Sequence, residues 1–420
     1  MRDGAVEGSN LKTDGNQFVL RAHQADAHEL LDALETARDT QFIRTPFQRR
    51  TFLDSFYRNL PDNCTPLVVS VRENDSGRLA MVLPLIKRNS SVLSYIEPAD
   101  LGLSDYVAPV LADWFNPTPR EMERIWTMLR RILPSADILS FKKVPAVLEN
   151  GKVNPLTLLP HAVEMGTATK LLDLSGPECA SHYQRSGLYK DGMKKLRKLR
   201  TLGEVEFRMA QSRDDALQLF DALVEQRTAR FQTLDRPDPL MDSKVRAFYS
   251  ELIADGVPKG AVMFGGLYLD GFTCAIEVRP ADLGLVEGET HHGIMTTMVG
   301  GDIQRQSPGT IVFMLMLDET MARQLRYYDI GVGEFFYKSR LKGVETSLHE
   351  SHEALSLRGR AALANAKARR MIRLGLSRYP RLRKPVEGFR QRLRRLRKLS
   401  LLAPVGLMEF QSMQAGLGLL

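Results

Sequence analysis

Seven consecutive residues, Gln304-Arg305-Gln306-Ser307-Pro308-Gly309-Thr310, carry the clearest chemical signal in the chain. Ser307 is a good helix N-cap, Pro308 suits the first helical position, and Gly309 lets a ligand approach the amides of Gly309, Thr310 and Ile311. Open amides at the positive end of a helix favour an anion, most naturally a phosphate. Titratable groups flank this turn. Glu277 ends a β-run upstream and is a candidate base; the His291-His292 pair is another, since imidazole titrates near neutral pH. Adjacent strand residues face opposite sides, so at most one of the two histidines lines a site. Asp329, downstream, either orients a substrate or holds the Gly331-Val332-Gly333 turn.

The elements that must position these groups follow from pattern. Two apolar β-runs, Ala261 to Leu269 and Phe272 to Val278, join through Asp270-Gly271, and a third run spans His291 to Val299. A helix starts at the Ser307 turn and reaches about Arg326, before a short strand Tyr327 to Ile330. Upstream stand a strand Val205 to Met209, a capping-box spacing at Ser212 to Asp215, and a helix with Ala216, Leu219, Phe220, Leu223 and Val224 on its buried face. A second helix covers Ser243 to Ala254. The order is β-α-α-β-β-β-α-β. The first half repeats it more loosely: strand Phe18 to Arg21, helices Asp26 to Arg38 and Gln48 to Asn59, β-runs at Leu67 to Val71, Leu79 to Ile86 and Val92 to Ile96, helix Pro119 to Leu133 and strand Asp137 to Phe141.

That order, with Gln304-x-x-Ser307-x-Gly309 in place of a Q/R-x-x-G-x-G/A turn, resembles the pyrophosphate-binding element of the GNAT superfamily of acyl-CoA-dependent acyltransferases, serine replacing the first glycine. Ser307-Pro308-Gly309-Thr310, an apolar helix, Tyr328-Asp329-Ile330-Gly331-Val332-Gly333 and then Tyr337-Lys338 resemble the CelD-like acetyltransferases associated with bacterial cellulose biosynthesis, best over Asp173 to Leu341. The resemblance implies a mixed α/β (α+β) fold of tandem GNAT-like domains, each a mainly antiparallel sheet flanked by helices. It implies acetyl-CoA as donor, held by Gln304, Arg305, Ser307, Gly309 and Thr310, and an amine or hydroxyl acceptor on a sugar or polysaccharide precursor. In such enzymes a tyrosine after the cofactor helix protonates the departing thiolate; Tyr337 is the choice here over Tyr327 and Tyr328, with Glu277 or a histidine as base and Asp329 nearby. Lys338 and the Asp105-Tyr106 loop also match the family pattern. Two further readings stay open: a Fem-type transferase using aminoacyl-tRNA, and a non-catalytic scaffold of a polysaccharide-synthesis complex.

At 420 residues two domains are expected, assigned to 18–145 (without its own cofactor site) and 171–357, with a disordered 1–17, a Pro/Gly-rich boundary at 146–170 and a basic helical tail at 358–420. Cys64, Cys179 and Cys274 are far apart and odd in number, which argues against a disulfide framework or zinc and for a reducing cytoplasm. No metal is expected, and no apolar run approaches the ~20 residues a membrane span needs. Net charge is +8, but Arg358 to Lys398 holds sixteen Lys/Arg against Glu387, so the remainder carries −7 (8 − 15). The tail has few aromatics to stack bases, which makes nucleic acid an unlikely partner; its basic residues between leucines suit an anionic membrane surface or a synthase complex. The basic run Lys190 to Arg200 is left without a role.

Overall fold

In a computed structural model, residues 10–11, 17–23, 42–148, 151–280, 290–332 and 341–378 are described. The first half supplies β1 (Asn10–Leu11), β2 (Phe18–His23), β3 (Phe42–Ile43), α1 (Arg50–Arg58), β4 (Cys64–Glu73), β5 (Leu79–Asn89), β6 (Ser94–Pro98), β7 (Val110–Ala112), α2 (Pro119–Ile132) and β8 (Ile138–Pro145). The second supplies β9 (Val163–Asp173), α3 (Pro177–Arg185), α4 (Gly187–Arg200), β10 (Val205–Met209), α5 (Arg213–Thr233), α6 (Ser243–Gly256), β11 (Val262–Leu269), β12 (Phe272–Pro280), β13 (Thr290–His292), β14 (Met295–Met298), α7 (Pro308–Ala322), β15 (Tyr327–Val332), β16 (Val344–Ala354) and α8 (Leu357–Arg378). The expected helix over Asp26 to Arg38 lies outside the described residues.

The two halves share one sheet by exchanging strands. Its order runs β1-β2-β4-β5-β6-β8-β16-β9-β15-β13, with β7 joined to β3 and β5; β10-β11-β12-β14 form a separate four-stranded sheet. Among the described residues each half contains one parallel pair, β6 with β8 and β13 with β15. The strand that follows the first half, β9, completes the second by pairing antiparallel with β15, and the strand that follows the second, β16, completes the first by pairing with β8. β9 and β16 then pair with each other at the centre. Neither is marked by an apolar face: β9 reads Val-Glu-Met-Gly-Thr-Ala-Thr-Lys-Leu-Leu-Asp, and Gly166 takes φ +74°. Neighbours on both edges hold it by backbone hydrogen bonds, a signal that hydrophobic periodicity does not carry. Its last residues, Leu171-Leu172, are the apolar part of the strand, and the remainder reads as loop in the sequence.

Two apolar cores lie beneath. The larger joins α1, α2 and the first-half strands to α5 and α6, with the Phe248 ring meeting the stacked Phe52 and Phe56 rings edge to face. The smaller packs α4 and α7 on the four-stranded sheet. Local chemistry sets the helix starts as expected at Ser212, whose hydroxyl accepts from Asp215 N (3.1 Å) in a full capping box. Asp270 and Gly271, at φ 49° and 79°, make the β11-β12 hairpin turn. The basic stretch His182 to Leu199 is two helices, α3 and α4, because Ser186 caps the second through Tyr189 N.

Candidate functional site

The Ser307 turn forms, but with a different backbone from the one expected. Gly301–Gln306 is a 3-10 turn that leaves Gln304 and Arg305 exposed; the Arg305–Asp302 ion pair is open to water at 3.7 Å and contributes little. Ser307 sits at φ 49°, ψ 58°, a left-handed conformation that glycine adopts without penalty, and its side chain makes no cap hydrogen bond. The residue standing where the motif has glycine thus takes a glycine's backbone. Its carbonyl accepts from Thr310 N at 2.9 Å and Ile311 N at 3.3 Å, so two of the three amides expected to be open are engaged. Pro308 has no N–H. Of these, Gly309 alone keeps its amide for a ligand, at the positive end of α7.

The strand before this turn splits in two. His291 to Val299 is not one run: β13 pairs in parallel with β15 (His292 opposite Asp329), Gly293 N donates to Asp329 O at 2.9 Å, and the chain then leaves β15. From Met295 it pairs with β12 instead, as the edge of the small sheet. A wedge therefore opens between β14 and β15. A Cβ added at Gly309 would lie 3.3 Å from Met298 Sδ and 3.9 Å from Thr296 Cγ2, so the start of α7 and the diverging strand β14 form one wall. An open amide at a helix N-terminus, an exposed arginine and a strand edge unpaired among the described residues fit a pyrophosphate followed by an amide-bearing chain.

At the apex of the wedge lies a closed polar cluster built from both halves. Asp329, on β15, accepts the Tyr106 hydroxyl (2.6 Å) and His292 Nδ1 (3.2 Å) on Oδ2, and Thr169 Oγ1 (2.9 Å) and Gly331 N (2.8 Å) on Oδ1. Tyr106 also meets Thr169 Oγ1, and Phe47, Tyr106 and His292 pack edge to face. The side chains of Phe47, Tyr106, Thr169, His292 and Asp329 are all buried. Burial pushes the Asp329 carboxyl up, but the His292, Tyr106 and Gly331 donors outweigh it and hold it below the usual carboxylate range. Burial, then Asp329 and Asp105, raises the Tyr106 phenol well above its ordinary value, so it stays a donor. A carboxylate only accepts, which places the His292 proton on Nδ1 and makes Nε2 the basic nitrogen. His291 points the other way, with Nδ1 2.7 Å from Thr320 Oγ1 on α7.

Gly331 closes the apex at φ +78°, and an added Cβ would overlap Asp105 Oδ2 and lie 3.3 Å from Gly293 O. Gly331→Ala is expected to cost at least ~2 kcal/mol, combining left-handed strain with displacement of the Asp105 loop, as read by denaturant unfolding.

Residues 189–339 match the family model described as Acetyltransferase (GNAT) domain. The matched stretch is a GNAT acetyltransferase domain, which makes the chain an acyltransferase, within a mixed α/β fold whose main sheet runs through both halves. The solved structure of FemX is similar in fold at a TM-score of 0.53 and 9% identity, covering 80% of this chain and 97% of that one. A tandem GNAT protein from the clavulanic acid biosynthesis pathway aligns at 13% identity and TM-score 0.45 (81% and 99% covered). The C-terminal domain of a putative lysylphosphatidylglycerol synthetase from Agrobacterium fabrum aligns at 11% and 0.47 (81% and 96%). No curated protein matches the chain in sequence.

Of the residues singled out from sequence, Gln304, Arg305, Ser307, Gly309 and Thr310 share the turn, and Asp329 joins His292 and Tyr106 at the apex. Glu277 stands in β12 opposite Gly265 and Thr296, its side chain outside the described part. Tyr337 and Lys338 lie outside the described residues. Tyr327 is on β15 with Arg326 over its ring, and Tyr328 is packed under α7 against Phe313. Thr169 was invisible in sequence, because its role depends on the strand exchange. Among the described residues no group of three His, Cys, Asp or Glu is placed to hold a metal ion, and no helix is long and apolar enough to cross a membrane.

Proposed function

We propose that the chain transfers an acyl group, acetyl in the simplest case, from acyl-CoA to an amine or hydroxyl of a sugar or polysaccharide precursor. The reading rests on the strand divergence at Gly293 beside the open start of α7. Gly309 N and Arg305 hold the donor's phosphates, and β14 offers its free edge to the chain that follows. Bound acyl-CoA supplies an activated thioester carbonyl. His292, oriented through Nδ1 by Asp329, takes the acceptor's proton on Nε2 at the apex, and Tyr337 returns one to the leaving thiolate; Glu277 is the alternative base. The first half supplies Tyr106 and Phe47 to the wall and holds no donor of its own. Its corresponding helix, α2, is closed by a capping box in which Thr118 N and Oγ1 donate to Glu121 Oε2 at 2.7 and 2.8 Å, so a carboxylate occupies the helix start.

Thr310→Asp tests this. Thr310 is the third helical residue, where a carboxylate favours α7 by about 0.3–1 kcal/mol. The same charge ~5 Å from a pyrophosphate costs on the order of 3 kcal/mol at an effective dielectric of about 20, or about 100-fold in affinity. Isothermal titration with acetyl-CoA is expected to give micromolar binding by the wild type and its loss in the variant, with thermal unfolding unchanged or raised. A wild type that ignores acetyl-CoA would overturn the reading and favour aminoacyl-tRNA as donor, or the scaffold role.

A further inference from the structure

The helix α4 carries six cations, Lys190, Lys194, Lys195, Arg197, Lys198 and Arg200, against one acid, Asp191. Among the described residues none of the six lies in an ion pair. Lys190, Lys194, Arg197 and Lys198 fall at i, i+4, i+7 and i+8, one exposed stripe, while Leu188, Gly192, Leu196 and Leu199 face the core. Packing therefore fixes which side the charge faces. Gly192 abuts Met314 on α7, and Tyr189 feels the Asp318 carboxylate one turn further along, so the two helices run antiparallel. That brings the end of α4, with Arg197, Lys198 and Arg200, toward the Gly301–Gln306 turn, which α4 also touches.

Two apolar side chains stand at the same end. Leu202, just past α4, is 53% exposed, and Phe272, at the start of β12, is 64% exposed. Their backbones are tied together: Glu204 N donates to Asp270 Oδ1 at 2.7 Å, Asp270 N donates to Glu204 O at 2.8 Å, and no Cβ fits at Gly203, against the Asp270 carboxylate. The two apolar residues are thus presented on a fixed loop and hairpin tip. Asp270, exposed, is engaged in that bond, and Glu204 is a second exposed acid beside it.

We propose that this face, the α4 stripe with Leu202 and Phe272, docks on an anionic lipid bilayer. Cations spread along a helix suit a surface of negative headgroups, and two exposed apolar side chains at one end suit shallow insertion at the headgroup boundary. A phosphodiester chain would use the cations but has no need of an exposed leucine, and the stripe itself holds no aromatic for base stacking.

The test is flotation of the full chain with vesicles of phosphatidylcholine containing 30% phosphatidylglycerol, and with phosphatidylcholine alone. Two variants are compared: Lys194→Gln/Arg197→Gln/Lys198→Gln, and Leu202→Ser/Phe272→Ser, all at exposed positions. Wild type is expected to float with anionic vesicles only, and each variant to lose tenfold or more in partitioning while circular dichroism is unchanged. Partitioning of either variant equal to wild type assigns any vesicle binding to the 379–420 segment and overturns the proposal. So does a charge variant that keeps vesicle binding and loses acetyl-CoA or a single-stranded oligonucleotide, since the stripe would then serve that ligand.

Discussion

Asp329→Ala is expected to lower the unfolding free energy by about 3–5 kcal/mol, read as a fall in the urea midpoint. The carboxylate accepts from four donors on four segments, namely Tyr106, Thr169, His292 and Gly331, and the substitution leaves all four buried without it. Asp329→Asn keeps one acceptor oxygen and is expected to fall between. The same cluster predicts sensitivity to acid. Folding lowers the Asp329 carboxyl, so the unfolded chain binds that proton more readily and stability rises with pH through the acid range. The contribution is complete above the ordinary carboxylate value of about 4 and is lost as pH falls through the folded value. In the Asp329→Asn variant that part of the slope should vanish. A slope equal to wild type would mean that other carboxylates govern acid unfolding.

His292→Asn is expected to reduce kcat by about 10²–10⁴-fold while acetyl-CoA affinity stays within a factor of about two. The new side-chain amide sits where Nδ1 was and can still donate to Asp329, so the apex is kept; the nitrogen assigned as base is gone. Retention of kcat would reassign the base to Glu277. A loss of stability matching Asp329→Ala would mark His292 as a packing residue of the apex.

What could be read from the sequence follows from how local each determinant is. The Ser212 capping box, the Asp270-Gly271 turn, the buried face of α5 and the span of α6 depend on a few neighbouring residues, and they stand close to where the pattern put them. The Ser307 turn was also legible as the start of a helix. Its amide count was not: Ile311 N makes the ordinary first i→i−4 bond of a helix capped at Ser307, and Thr310 N adds a tighter bond to the same carbonyl that no propensity encodes. The break at Gly293 was hidden inside a stretch read as one strand, His291 to Val299, since the chain changes partners there without a turn sequence to mark it. Tyr106, Thr169 and Asp329 lie far apart in the chain and meet only through the sheet, so their alliance had no local signature. The Asp105-Tyr106 loop was flagged by resemblance alone.

The exchange of β9 and β16 also sets a timetable for synthesis. When β8 leaves the ribosome at Pro145, the strand that covers its open edge, β16, ends at Ala354, 209 residues later (354 − 145). At roughly 5–20 residues per second that edge waits about 10–40 s for its partner. During this interval the nascent first half exposes unpaired backbone beside Leu139 and Phe141, a template for pairing with another chain on the same message. Slow codons placed between the two strands would lengthen the exposure, and an antibody or chaperone trap for strand edges should capture ribosome-bound chains of intermediate length more than finished ones.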